Sequence, residues 1–169
     1  LESVLKMNLS SIVTAADGVA KLELNTASGV NGPLYIANTW NDICFNNKVC
    51  DSDSIVNLLV DGSFEVTPGV YVVKVQFSPG QLVGSSSNMY FNARLSSIVG
   101  SSLLKWPTGV ISQTGTILDH GKLDGVIHLT QRTQMNLEIF TNVNRTHQAI
   151  LADGVSNVWW SIDLVRLKK

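Results

Sequence analysis

The clearest hydrophobic pattern of the chain lies in Asp61 to Phe77, Asp-Gly-Ser-Phe-Glu-Val-Thr-Pro-Gly-Val-Tyr-Val-Val-Lys-Val-Gln-Phe. Two period-two runs, Phe64-x-Val66 and Tyr71-x-Val73-x-Val75-x-Phe77, flank Thr67-Pro68-Gly69. Proline presets φ there and glycine accepts positive φ, so the pattern predicts two strands with a reversal between them. Successive Cβ atoms on a strand point to opposite faces. Tyr71, Val73, Val75 and Phe77 are therefore expected in a core together with Phe64, and Val70, Val72, Lys74 and Gln76 on the opposite face. That second face is half apolar, which predicts that something covers part of it.

The same short periodicity recurs to the C-terminus between Gly, Asn, Pro and Ser clusters. It predicts strands near Ala20–Asn25, Leu34–Ala37, Asp42–Asn46, Ile55–Val60, Ser63–Val66, Val70–Phe77, Met89–Ser97, Val110–Thr114, Gly125–Thr130, Asn136–Thr141 and Val158–Leu167. No stretch sustains a helical period, and about ten short strands in one domain predict an all-β antiparallel sandwich or jelly roll. In the last strand Trp160, Ile162 and Leu164 share one face and are expected in the core. Trp159, Ser161, Asp163 and Val165 are then expected on the face shared with Val70, Val72 and Lys74. Gly80–Asn88, with three consecutive serines, reads as a loop, and Ser97–Leu123 as a long connection between sheets. Residues 1–18 read as the end of a shaft or a linker, because the weak three-to-four spacing of Leu1, Leu5, Asn8 and Ile12 is broken by β-branched and hydroxyl residues. Ala16-Asp17-Gly18 is a turn signal, and the head domain is placed at 19–169.

Composition sharpens the expected surface. Charged residues make up 15% of the 169 residues, apolar residues 44%, the net charge is −1 and the mean hydropathy is +0.17; ordinary soluble proteins carry about 25% charged residues. Such a surface suits partial burial in an assembly. Lys and Arg are scattered singly, so no basic stripe faces a nucleic acid. No apolar run approaches a membrane span, and no signal-peptide pattern opens the chain.

Chemistry-bearing residues are sparse. His120, His128 and His147 lack a second ligand at metal-binding spacing, Asp119-His120 and Asp124 lack a nucleophile, and no phosphate-binding or nucleophile-elbow motif occurs. Neither a catalytic residue, a metal nor a cofactor is expected. Cys44 and Cys50 would face each other across a hairpin if Asn46–Lys48 formed a three-residue loop, and would fall out of register with a two-residue turn, so a single bridge and two reduced thiols both stay open. Triplets at Asn8-Leu9-Ser10 and Asn144-Arg145-Thr146 are glycosylation acceptors only in a eukaryotic secretory setting.

The ordered set of Thr39-Trp40-Asn41, Asp61-Gly62-x-Phe64, Pro68-Gly69-x-Tyr71, Met89–Ser97, Leu123-Asp124-Gly125-Val126, Met135–Thr141 and Val158-Trp159-Trp160-Ser161-Ile162-Asp163-Leu164 resembles the trimeric jelly-roll heads of the tumour-necrosis-factor and complement-q superfamily. The resemblance covers roughly residues 34 to 167 and implies a TNF-like sandwich whose one sheet packs around a threefold axis. It implies Val70, Val72, Lys74, Lys122, Trp159 and Asp163 at that axis, and a homotrimer. Three ammonium groups of Lys74 near one axis need Asp163 or Asp124 as partners. Within the superfamily, the low charge, neutral polar loops and stalk-like start look most like the head of a tectivirus-type vertex spike, on the virion surface, with an upstream shaft, capsid vertex proteins and a host receptor as partners. A secreted signalling or adaptor head is the alternative, and a jelly-roll sugar-binding module a further one. Trp106, in the long connection, is the candidate partner contact.

Overall fold

The computed structural model describes residues 16–77, 81–82, 89–97, 102–105, 109–111, 121–142, 144–148 and 157–168. The chain forms two antiparallel sheets packed face to face, with no α-helix among the described residues.

The first sheet holds β1 (Ala16–Thr26), β4 (Asn47–Asp51), β7 (Gly69–Phe77), β12 (Gly121–Leu129) and β15 (Asn157–Leu167), in the order β12-β7-β15-β1-β4. The second is built on β5 (Val56–Leu58), β6 (Phe64–Val66), β9 (Met89–Ser97), β10 (Ser102–Lys105) and β13 (Thr133–Thr141), in the order β10-β9-β13-β6-β5. Two short strands join it: β3 (Trp40–Asp42) pairs with β13 and β11 (Gly109–Ile111) with β9. A small flanking sheet takes β2 (Leu34–Tyr35), β14 (Arg145–Gln148) and β8 (Gln81–Leu82).

The central alternation runs as the pleat requires. Phe64, Tyr71, Val73, Val75, Trp160, Ile162 and Leu164 are buried between the sheets, and Phe77 stacks on Trp160 with ring centroids 4.5 Å apart. The polar tips of the buried aromatics are satisfied, as a dry core demands. Trp160 Nε1–H donates to Tyr35 Oη at 2.7 Å and Tyr71 Oη donates to the Thr67 carbonyl at 2.9 Å. Burial raises the Tyr35 hydroxyl well above the usual tyrosine range.

Several expectations are corrected by tertiary pairing. Thr67-Pro68-Gly69 is the expected corner between two strands, and tertiary pairing adds that β6 lies in the second sheet and β7 in the first, so this corner carries the chain across the sandwich. Space at Gly69 is tight, because a Cβ there would stand 3.0 Å from Arg166 Cδ and 3.1 Å from the Tyr71 ring, so these side chains would have to give way. The expected strand Asp42–Asn46 is also a crossing. Trp40–Asp42 pairs with β13, Asn47–Asp51 pairs with β1, and residues 43–46 span the gap with Ile43 and Phe45 pointing into the core. Cys44 and Cys50 therefore never face one another, and both are free thiols.

Gly62 does need its special backbone. It sits at φ +85 in the β5–β6 turn, and a Cβ there would come within 2.4 Å of the Cys44 backbone. The Asp61 carboxylate holds the turn by accepting from the Ser63 N–H at 3.0 Å and hydroxyl at 2.6 Å, which keeps its own pKa low.

The first strand starts at Ala16, inside the segment expected to be linker. Ala16-Asp17-Gly18 is a bulge rather than a turn: the register with β15 shifts there. The bulge aims the Asp17 carboxylate at Arg166 Nε, 2.6 Å away, and Gly18 lets β1 pass Ile55, whose Cγ2 would be 2.9 Å from an added Cβ. The shaft assignment for residues 1–15 lies outside the described residues, as does most of the Gly80–Asn88 loop.

Candidate functional site

The face of the first sheet turned away from the core is ordered in rows, because residues directly opposite in an antiparallel ladder point to the same side. One row is entirely valine. Val126 of β12 lies opposite Val72 of β7, Val72 opposite Val165 of β15, and Val165 opposite Val19 of β1. The ends of the row are the most open, with Val126 60% and Val19 39% exposed, while Val72 and Val165 are half-buried. Beside it, toward one end of the sheet, Val70 faces the exposed His128.

The next row is charged and alternates in sign. Asp124 lies opposite Lys74, Lys74 opposite Asp163, Asp163 opposite Lys21, and Lys21 opposite Cys50 of the edge strand β4. Lys74 thus has an aspartate opposite it on each neighbouring strand. Lys21 Nζ is 2.8 Å from Glu23 Oε1; that hydrogen bond, with Asp163 adding to it, raises the Lys21 pKa. Beyond lies a row with a neutral middle, in which Gln76 faces Ser161, and an acidic end, in which Ser161 faces Glu23. Here Lys21, Glu23, Gln76, Ser161, Val158 and the tryptophan pair border a shallow depression of about 270 Å³.

Among the six residues expected on this face, Val70, Val72, Lys74 and Asp163 are brought together on it. The Lys122 backbone lies opposite Gln76, and its side chain is outside the described residues. Trp159 departs from the expectation. It is 3% exposed within the single chain and belongs to the core cluster. The cause is a bulge: Leu24 pairs with Trp160 while the next residue, Asn25, pairs with Val158, leaving Trp159 as the extra residue. A bulge breaks the in-out alternation, so consecutive tryptophans both turn inward. Trp159 Nε1–H donates to Thr26 Oγ1 at 3.0 Å.

Val19, Lys21 and Val126 are members of the face that the sequence reading did not single out. The inward alternation of Ala20, Leu22 and Leu24 implies that Lys21 and Glu23 point outward. Which strands neighbour which, and hence that these valines form one row, has no local signal.

On the outer face of the second sheet, the described side chains of β3, β9 and β13 form a cluster that pairs within the chain. Arg94 forks onto Glu138 through Nε to Oε2 at 2.7 Å and through a second nitrogen to Oε1 at 2.9 Å, and the Ser96 hydroxyl donates to the same carboxylate. Arg94 also lies 4.0 Å above the Trp40 ring, which packs on Phe140. Arg94 and then Ser96 hold Glu138 below the usual carboxylate range, and Glu138 raises Arg94 in turn.

Trp106 and His120 lie outside the described residues, as does the side chain of His147. Among the described residues no three His, Cys, Asp or Glu side chains group as metal ligands, and no helix is long and apolar enough to cross a membrane. Asn144 Oδ1 accepts from the Ala37 N–H at 2.6 Å.

The fold that carries this face has solved counterparts. The crystal structure of murine APRIL at pH 5.0 is similar with a TM-score of 0.55 at 14% identity, over 89% of this chain and 98% of that one. Eiger TNF from S. frugiperda is similar with a TM-score of 0.50 at 13% identity, over 89% and 92% of the two chains. No protein-family model and no curated protein matches the chain. The fold is a TNF-like jelly-roll sandwich.

Proposed function

We propose that this chain is a non-enzymatic recognition head that assembles as a homotrimer through the outer face of its five-stranded sheet and meets a protein partner with its loops. One observation carries the reading: the row Val126-Val72-Val165-Val19 crosses four adjacent strands, and its two ends stand 60% and 39% exposed. A monomer would leave that apolar stripe in water, whereas association removes it at a gain of roughly 25 cal/mol per Å² of apolar surface. Likeness of fold to APRIL and Eiger TNF supports the same arrangement and favours a secreted signalling or adaptor head, acting outside the cell. The non-enzymatic part of the reading is supported by the sequence, in which His120, His128 and His147 stand at no metal-ligand spacing and in no nucleophile motif.

A virion spike head is the second reading. Its support is the 15% charge content and the Ser- and Asn-rich loops; it adds an upstream shaft, capsid vertex proteins and a host receptor as partners. A fibrous repeat or capsid-anchoring domain preceding Leu1 in the parent protein would favour it over the secreted head. Trp106 is proposed as a partner contact in both.

Light scattering on the purified chain tests the assembly. A mass three times 18.3 kDa at micromolar concentration is expected, and a monomer mass across a range of salt overturns the trimer. Trp106→Ala is expected to weaken partner binding while mass and melting temperature stay unchanged; loss of fold or mass instead would make that residue structural.

A further inference from the structure

The charged row has a direction, and the direction matches one way of joining copies. It begins with Asp124 on β12, at the edge of the sheet, and ends with Lys21 on β1, three strands away, or roughly 14 Å at about 4.8 Å per strand. One end is acidic and the other basic. The neighbouring valine row is apolar at both ends, and its ends are also its most exposed members.

In a cyclic trimer each contact is heterologous: one side of the patch on one copy meets the other side on the next. Resting on the trimer reading above, we infer that Asp124 of each copy meets Lys21 of the next, beside a contact between Val126 and Val19, and that this charge pair sets the register in which the ring closes. Lys21 is equipped for it. Glu23 occupies one donor of its ammonium at 2.8 Å, and an ammonium has three, so donors remain for a carboxylate arriving from another copy. Asp124 is exposed on the edge strand, where an arriving subunit has direct access. The apolar row supplies attraction without orientation. The polarised row supplies orientation, because sliding the contact by one strand would set Asp124 against Asp163 and lose the match, and like charges juxtaposed suppress wrong registers.

The competing geometry is a two-fold stack of two such faces. It also brings Asp124 over Lys21, and adds Lys74 over Asp163, but it centres on the half-buried Val72 and Val165 instead of the exposed ends.

The test is a charge swap followed by sedimentation equilibrium, with thermal melts as the folding control. Asp124→Lys and Lys21→Glu are each expected to weaken assembly about tenfold or more, and the two together in one chain to restore it to within about threefold of the parent. Mixing the two single variants separates the geometries. A ring of three contains an odd number of contacts, so at least one in every mixed ring stays like-charged and recovery is partial. In a two-fold stack every mixed pair is fully matched.

Full recovery on mixing, at dimer mass, overturns the inference in favour of the stack. Unaltered mass in both single variants, or a double variant that stays dispersed, overturns the pairing while leaving a valine-driven trimer intact. A parent chain that is monomeric throughout removes the trimer reading itself. Should Lys21→Glu unfold the chain beside Glu23, Lys21→Gln and Asp124→Asn carry the same test: paired side chains lose no more together than singly, whereas independent ones add.

Discussion

Glu138 and Asp163 hold corresponding places, each near the middle of an inner strand on the outward face of its sheet, yet their surroundings differ. Glu138 is gripped by the Arg94 fork and the Ser96 hydroxyl, and Arg94 is roofed by Trp40. Asp163 lies between Lys74 and Lys21, and the ammonium of Lys21 is bonded to Glu23 on its own strand. Apolar residues diverge likewise. Trp40 and Phe140 pack on each other at 5.6 Å, whereas the valine row of the first sheet ends in exposed Val126 and Val19. Around Glu138 the second sheet pairs its outward charges within the chain. The first keeps an apolar band and a graded charge row that a second copy can complete. Charges paired within the chain on one face and incompleteness on the other are what a subunit needs if it is to assemble through one sheet only.

The tryptophan pair marks the boundary of that comparison and carries the largest expected effect. Trp160→Ala should lower folding stability by about 3–5 kcal/mol, and Trp159→Ala by a comparable amount, since both rings are buried in the single chain. Denaturant melts check this; a Trp159 variant that keeps its stability and loses only assembly would return that residue to the open face.

Next in size is Val72→Asp, which places a charge in the middle of the valine row. Assembly should weaken about a hundredfold, equivalent to ~2.7 kcal/mol, with the far-ultraviolet spectrum unchanged. An unaltered oligomer mass would mean that the band is not the contact.

On the second sheet, Glu138→Gln should cost about 1–3 kcal/mol through the stranded Arg94 and leave the mass as it is. Because the folded-state pKa of Glu138 is depressed, its contribution is present above the unfolded carboxylate range and disappears as pH falls through the lower folded value. The parent should therefore lose stability on acidification in that window, and the variant should lose less; parallel acid limbs for the two would contradict the assignment.

The smallest effect belongs to Trp40→Leu, expected to remove about 0.5–1 kcal/mol of cation–π attraction to Arg94 without altering assembly. A change in mass on this substitution would blur the distinction between the faces.

Which residues enter the core was readable from local alternation at Tyr71-x-Val73-x-Val75-x-Phe77 and Trp160-x-Ile162-x-Leu164, because a strand's two faces are set by its own period of two. The same period put Val70, Val72, Lys74 and Asp163 on one side. Local pattern failed wherever a strand changed sheet or gained a residue. Thr67-Pro68-Gly69 carries corner chemistry that does not say which sheet the next strand joins, and residues 43–46 alternate as a strand would, so only the pairing of the flanking segments reveals each crossing. Trp159 faces inward because Leu24 and Asn25 of a distant strand open a bulge opposite it. The rows themselves, Val126-Val72-Val165-Val19 and Asp124-Lys74-Asp163-Lys21, join residues more than a hundred positions apart. Alternation along one strand is covalent geometry and is written in the sequence; adjacency between strands is a matter of long-range hydrogen bonding and packing, and it was decided by the folded sandwich alone.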